Sequence, residues 1–243
     1  MKTLSLVWRS DLLVCALWAV AGIALAADPT PNQLTEEEKA GGWKLLFDGS
    51  TKGWRTVGKQ ESAVKGWAVA DGWFFCNGKE GGDILSEGTF EQFELQWEWK
   101  QLKGGNSGVK YFVAEKDGSA LGHEYQMIDD EGHSDAKAGD GKHVTASFYD
   151  VLKPERPAPV RPPGETNHSR IVVRGNGVEH WLNGEKVLTY SCSSEAIKEA
   201  IAHSKFKNSE GFDSRRKGPI MLQNHHTEVW FRNVKIRDLS GKE

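Results

Sequence analysis

The sequence predicts an all-β protein, a two-sheet sandwich with one or two short helices. Three observations carry that prediction. Period-two alternation recurs along the chain, most clearly in Phe93-Glu94-Leu95-Gln96-Trp97-Glu98-Trp99, where the four apolar residues share one face. Two-residue turn signals stand at Asp71-Gly72, Asn77-Gly78 and Asn183-Gly184. Among the 243 residues, 27 glycines and 10 tryptophans suit aromatic strands joined by tight turns better than a helical bundle.

The elements follow in order. Residues 1–26 read as a signal peptide: Lys2 and Arg9 make a positive start, and residues 12–25 are an uncharged apolar run. That run is short for a membrane span of about 20 residues, and Ala24-Leu25-Ala26 supplies the small residues signal peptidase needs. The protein is therefore expected to be exported, with no membrane contact after cleavage. In an oxidising compartment Cys76 and Cys192 could pair, and the sequence leaves that disulfide open. Residues 27–40 are a polar lead-in with a short helix, begun by the capping box Thr35 and Glu38 and stopped by Gly41 and Gly42. Residues 41–240 form one domain, with strands expected at 66–70, 73–76, 93–99, 108–114, 124–128, 145–151, 170–174, 178–182, 220–223 and 229–237. A helix capped by Ser194, with Ile197, Ala200 and Ile201 as its apolar stripe, interrupts them. Prolines 154, 157, 159, 162 and 163 make that stretch an irregular loop.

With 31 basic against 34 acidic side chains, the chain lacks the basic excess of a nucleic-acid binder. The segment His123 to His133 is the richest in chemistry. On a strand, Glu124, Gln126 and Ile128 share a face, with Tyr125 and Met127 opposite. A carboxylate beside an amide can hydrogen-bond neighbouring sugar hydroxyls, and the carboxylate can accept a proton; the alternative is a solvated strand. Asp129, Asp130, Glu131, His133, Asp135 and Asp140 crowd the following loop. Such loops can hold Ca²⁺, but the spacing is not that of a calcium loop, so the metal-ligand set stays unknown. His133, an imidazole among carboxylates, suits acid–base work near neutrality. Gly104-Gly105-Asn106-Ser107-Gly108 lacks the Lys-Ser/Thr ending of a phosphate loop; its glycines let backbone pass close beneath a ligand. His180 shares a face with Val178 and Leu182 and reads as a core histidine. Of the adjacent His225 and His226, one at most faces a site. No Gly-x-Ser-x-Gly elbow supports a serine triad.

Several segments together resemble a known family: Trp43-Lys44-Leu45-Leu46-Phe47-Asp48-Gly49, Gly82-Asp83-Ile84-Leu85, Phe93 to Trp99, Gly105-Asn106-Ser107-Gly108-Val109, Glu124-Tyr125-Gln126, Asp129-Asp130-Glu131-Gly132-His133, Val178 to Gly184, and Trp230 to Ile236. Over about residues 40–240 the chain is similar to the 3-keto-disaccharide hydrolase family. The resemblance implies a concanavalin A-like lectin/glucanase jelly roll, exported to the bacterial periplasm or beyond. It also implies a carbohydrate substrate oxidised to a ketone at C3. That ketone acidifies the C2 hydrogen, so a base can remove it and the C1 substituent leaves. On this resemblance Glu124 or His133 is the expected base, and Tyr149 the proton donor. Arg170 or His225 would stabilise the oxyanion, and Asn106, Gln126, Asp129 and Gln223 would bind substrate. A divalent cation at O2 and O3 is a candidate cofactor. One departure is Asn224-His225-His226, where the family has an acidic or glycine-rich stretch. Two alternatives remain: a conventional retaining glycosidase with paired carboxylates, although no Glu-x-Asp-x-x-Glu motif occurs, and a non-catalytic lectin-like module with Trp54, Trp73 or Trp181 as sugar platforms.

Overall fold

The computed structural model describes residues 30–61 and 63–241, so the expected signal peptide lies outside the described residues. Two antiparallel sheets face one another. The larger has the order β11 (Glu185–Ser191), β10 (Gly177–Leu182), β9 (Asn167–Arg174), β6 (Phe93–Gln101), β13 (Val229–Asp238), β4 (Trp73–Cys76), β3 (Trp67–Ala70), with β1 (Trp43–Leu45) beside β13. The smaller has β2 (Trp54–Thr56), β5 (Ile84–Ser86), β12 (Met221–Leu222), β7 (Asn106–Lys116) and β8 (Ser119–Ile128). This is the expected all-β sandwich. Its long chain crossings between sheets, such as β11 to β12, are why strand order departs from sequence order.

The alternation read in β6 becomes the core. Phe93, Leu95, Trp97 and Trp99 are all at most 1% exposed. From the facing sheet Tyr125 meets Trp97 edge-on with centroids 5.0 Å apart, the arrangement aromatic quadrupoles favour. Ser169 Oγ accepts from Trp99 Nε1 at 2.8 Å and lies 2.9 Å from the Tyr125 hydroxyl. The Asp71-Gly72 turn between β3 and β4 has φ of 50° and 75°, the positive pair a two-residue hairpin requires. Both helices are capped as expected. Thr35 Oγ1 accepts the Glu38 amide and Glu38 returns the bond in α1 (Glu36–Ala40), and Ser194 Oγ accepts the Ile197 amide in α2 (Glu195–Ala202).

One expectation is corrected, and one question the sequence left open is answered. Residues 145–151 form turns instead of a strand, because Ala146 (φ 67°) and Asp150 (φ 61°) take left-handed backbone that breaks a ladder; Phe148 alone bridges to Tyr125 and Leu152. The Cys76–Cys192 disulfide does not form, and both thiols are free and buried. Cys76 lies on β4 and Cys192 follows β11, five strand spacings or about 24 Å across the larger sheet, whereas a bridge needs Cα atoms within about 7 Å. Among the described residues no helix is long and apolar enough to cross a membrane.

Candidate active site

Strand alternation builds the floor of the site on the outer face of the smaller sheet. On β8, Tyr125 and Met127 enter the core, so Glu124 and Gln126 face outward. Antiparallel register sets Lys110 of β7 opposite Glu124, and Gly108 opposite Gln126. Lys110 Nζ lies 3.5 Å from Glu124 Oε2. A Cβ at Gly108 would fall 2.7 Å from Glu124 Oε1, so the missing side chain is what gives the carboxylate its place. Beyond β7, Gln223 joins the same face, its amide donating to the Gly108 carbonyl at 3.0 Å. The floor is recessed: Asn106, Glu124, Gln126 and Gln223 are all buried. Asn106 Oδ1 and Gln223 Oε1 have no hydrogen-bond partner there. An unsatisfied buried oxygen costs about 1–3 kcal/mol, so two of them on one polar floor suit donors brought by a ligand.

The irregular segment after β8 makes the rim. The Tyr149 amide donates to the Glu124 carbonyl at 3.1 Å, which sets the phenol beside the floor. Its hydroxyl donates to Asp135 Oδ2 at 3.0 Å. His143 stacks on the Tyr149 ring at 4.5 Å and bonds Asp135 Oδ1 through Nδ1 (2.9 Å) and Asp150 Oδ1 through Nε2 (2.7 Å). Two carboxylates thus hold the ring, one at each nitrogen. Lys205 Nζ sits 4.1 Å from the centroid of the Tyr149 ring. Burial, then the bond to Asp135, pushes the Tyr149 hydroxyl well above its ordinary pKa, so it stays a protonated donor. Burial raises Asp150, but the bonds from His143 and the Lys205 amide outweigh it and hold that carboxyl below its usual range. Asp83, the residue before β5, accepts the Asn224 amide at 2.8 Å; burial raises its pKa, and Lys110, Glu124 and His225 are within its electrostatic reach.

A family model described as a 3-keto-alpha-glucoside-1,2-lyase-like domain matches residues 42–237. The chain belongs to that family. A 3-keto-disaccharide hydrolase of Bacteroides thetaiotaomicron is 35% identical over 232 aligned positions, covering 82% of this chain and 79% of that protein. A crystal structure from Parabacteroides distasonis, provisionally described as a glycosyl hydrolase, superposes with a TM-score of 0.80 at 35% identity, covering 87% of this chain and 100% of that one. A second from the same organism, described likewise, gives 0.63 at 27% identity, with 81% and 99% covered.

Within this 3-keto-alpha-glucoside-1,2-lyase-like domain, Glu124, Gln126, Asn106, Gln223 and Tyr149 come together, with exposed His225 near Asp83 at the edge. Three expected residues do not join them. Arg170 projects from the outer face of the larger sheet, 3.4 Å from Glu94 and stacked 4.1 Å from the Trp181 ring, because it alternates with inward Ser169 and Ile171 on β9. Asp129 is a loop tie: it accepts the amides of Gly104, Glu131 and Gly132, and these hold its carboxyl low against the opposing effect of burial. His133 turns into its own loop, Nδ1 accepting the Asp135 amide at 3.1 Å, and His143 is the imidazole that reaches the rim.

The platform tryptophans also lie elsewhere. Trp54 is core, bonded to the Leu46 carbonyl, while Trp73 and Trp181 are covered by Lys100 with Arg232 and by Arg170 with Lys186. Glu94 and Glu98, the other carboxylates of a conventional glycosidase, are held on the larger sheet by Arg237 and Arg232. Sequence reasoning missed Lys110, although it follows Asn106 and Gly108 at even spacing. It also missed His143 as a site residue, and Asp83, which stood within a recognised motif. Lys110 supplies positive charge beside Glu124.

Gly108→Ala is expected to reduce turnover about 10- to 100-fold by displacing the Glu124 carboxylate, with kcat falling and the thermal unfolding midpoint changing little. Unaltered kcat would show that the carboxylate position is not critical.

Proposed function

We propose that this protein is an exported enzyme that cleaves the glycosidic bond of 3-keto-disaccharides or related 3-keto-glycosides by elimination, with water adding afterwards to complete a net hydrolysis. The observation that carries this reading is the recessed Glu124 carboxylate, flanked by the Lys110 ammonium and the Tyr149 phenol. The relative named as a 3-keto-disaccharide hydrolase supports the substrate class.

Glu124 takes the C2 proton, and the C2–H electrons form the C2=C3 enolate with negative charge on O3. Lys110 stabilises that oxyanion in place of Arg170. The enolate then collapses: C1=C2 forms, the ketone returns, and the C1–O bond breaks. The leaving oxygen takes the Tyr149 proton. Asp135 and the doubly held His143 stand behind the phenol as its route back to the protonated state. Gln126, Asn106 and Gln223 orient the ring hydroxyls.

The test compares purified protein on plain and 3-keto disaccharides, with and without chelator. Cleavage of the keto-sugar alone, with an enone intermediate visible in the ultraviolet, is the expected result. Equal cleavage of plain disaccharide, or binding without cleavage of either, overturns the proposal in favour of a conventional glycosidase or a lectin-like module.

A further inference from the structure

A second cluster lies inside the sandwich. His123, at the inward face of β8, is fully buried; Cys192 follows β11; Asp213 belongs to the segment between α2 and β12. One potential ligand atom from each lies within 4.8 Å of the other two. His123 Nε2 and Asp213 Oδ1 are 3.3 Å apart, and both are buried with no hydrogen bond satisfied. Their other polar atoms are already fixed. His123 Nδ1 lies 2.9 Å from the Tyr190 hydroxyl, which fits the tautomer with Nε2 free to ligate, and Asp213 Oδ2 accepts the Ser193 amide at 2.7 Å. Arg216 approaches Asp213 Oδ1 to 3.6 Å but hydrogen-bonds Ser193 Oγ, leaving that carboxylate oxygen unbonded.

We propose that His123, Cys192 and Asp213 form a structural zinc site that pins the segment carrying Asp213 to the sandwich. One sulfur, one nitrogen and one oxygen suit Zn²⁺; the sulfur disfavours Ca²⁺ and Mg²⁺, and water takes the fourth position. On binding, the Sγ–Zn bond forms and the Cys192 thiol proton passes to solvent. A recess lined by Ser193, Phe206, Phe212 and Asp213 gives the ion a way in. The ion would staple together three parts of the chain: β8, the end of β11, and the stretch that carries the stacked Phe206 and Phe212 rings, 4.1 Å apart.

The experiment strips purified full-length protein with chelator, titrates it with Zn²⁺, and counts bound metal. One Zn²⁺ per chain and a raised Tm are expected, and Co²⁺ in its place should show a thiolate charge-transfer band. Cys192→Ser and Asp213→Asn should abolish that band or weaken metal binding about 10²-fold, with circular dichroism unchanged. Wild-type protein that takes up no Zn²⁺, or variants that bind it as tightly as wild type, would overturn the site. Since these residues do not touch the Glu124 floor, either outcome leaves the proposed activity to its own test.

Discussion

Glu124→Gln is expected to lower kcat on a 3-keto-disaccharide about 10³-fold while leaving KM and the unfolding midpoint nearly unchanged. Gln has the same shape, so it still fits over Gly108 and still offers Lys110 an oxygen at the place where the carboxylate sits 3.5 Å away. What it loses is the capacity to take a proton. Uniform substrate binding survives such a change and transition-state stabilisation does not, which is why the loss belongs in kcat. Steady-state kinetics beside a thermal melt separates the two. A variant within tenfold of wild type would move the base elsewhere on the face, and a large fall in Tm would assign Glu124 to stability.

Acidification is expected to remove about 3 kcal/mol of stability through His180, which is fully buried with its pKa lowered to about 4. Burial is the cause, only partly opposed by the bond to the Ala146 carbonyl. The unfolded chain takes up this proton first, near its ordinary pKa of about 6.5. The contribution is therefore complete above that pH, declines as pH falls toward 4, and is lost below it. The geometry agrees: His180 Nδ1 lies 2.9 Å from that carbonyl and Nε2 2.8 Å from the Tyr111 hydroxyl, as a neutral ring with one donor and one acceptor would. His123 shifts in the same direction, so the total loss exceeds the His180 share. Urea unfolding at pH 7 and pH 4.5 measures it for wild type and His180→Gln. The variant should start less stable and lose less; equal losses in both would remove His180 as the source.

The sequence made the sandwich legible because its strongest strands carry their faces in plain alternation. β6 is readable from Phe93, Leu95, Trp97 and Trp99 alone, and the β3–β4 hairpin from Asp71-Gly72. Residues 145–151 failed for the opposite reason. Their composition suits a strand, and nothing local announces that Ala146 and Asp150 reverse the backbone. The site was half visible. Glu124 and Gln126 follow from period two on one strand, but Lys110 joins them through register between strands, which a single sequence does not display. Arg170 was misplaced by that same gap: its strand pairs in the other sheet, and its side chain leaves by the far surface. His143 escaped because its partners, Asp135 and Asp150, close around it only once the segment folds back.

That folded-back segment returns beside the strand it left: the Ala146 amide donates to the Gln126 carbonyl at 2.8 Å, and the Gln126 amide to the Ser147 carbonyl at 3.3 Å. The Glu124 carboxylate thus rides on the β7–β8 ladder, while the Tyr149 phenol rides on an excursion anchored at its base. Divergence in the excursion can alter which aglycone is accepted and leave proton abstraction intact, so grafting residues 129–144 between homologues should exchange leaving-group preference without rebuilding the floor.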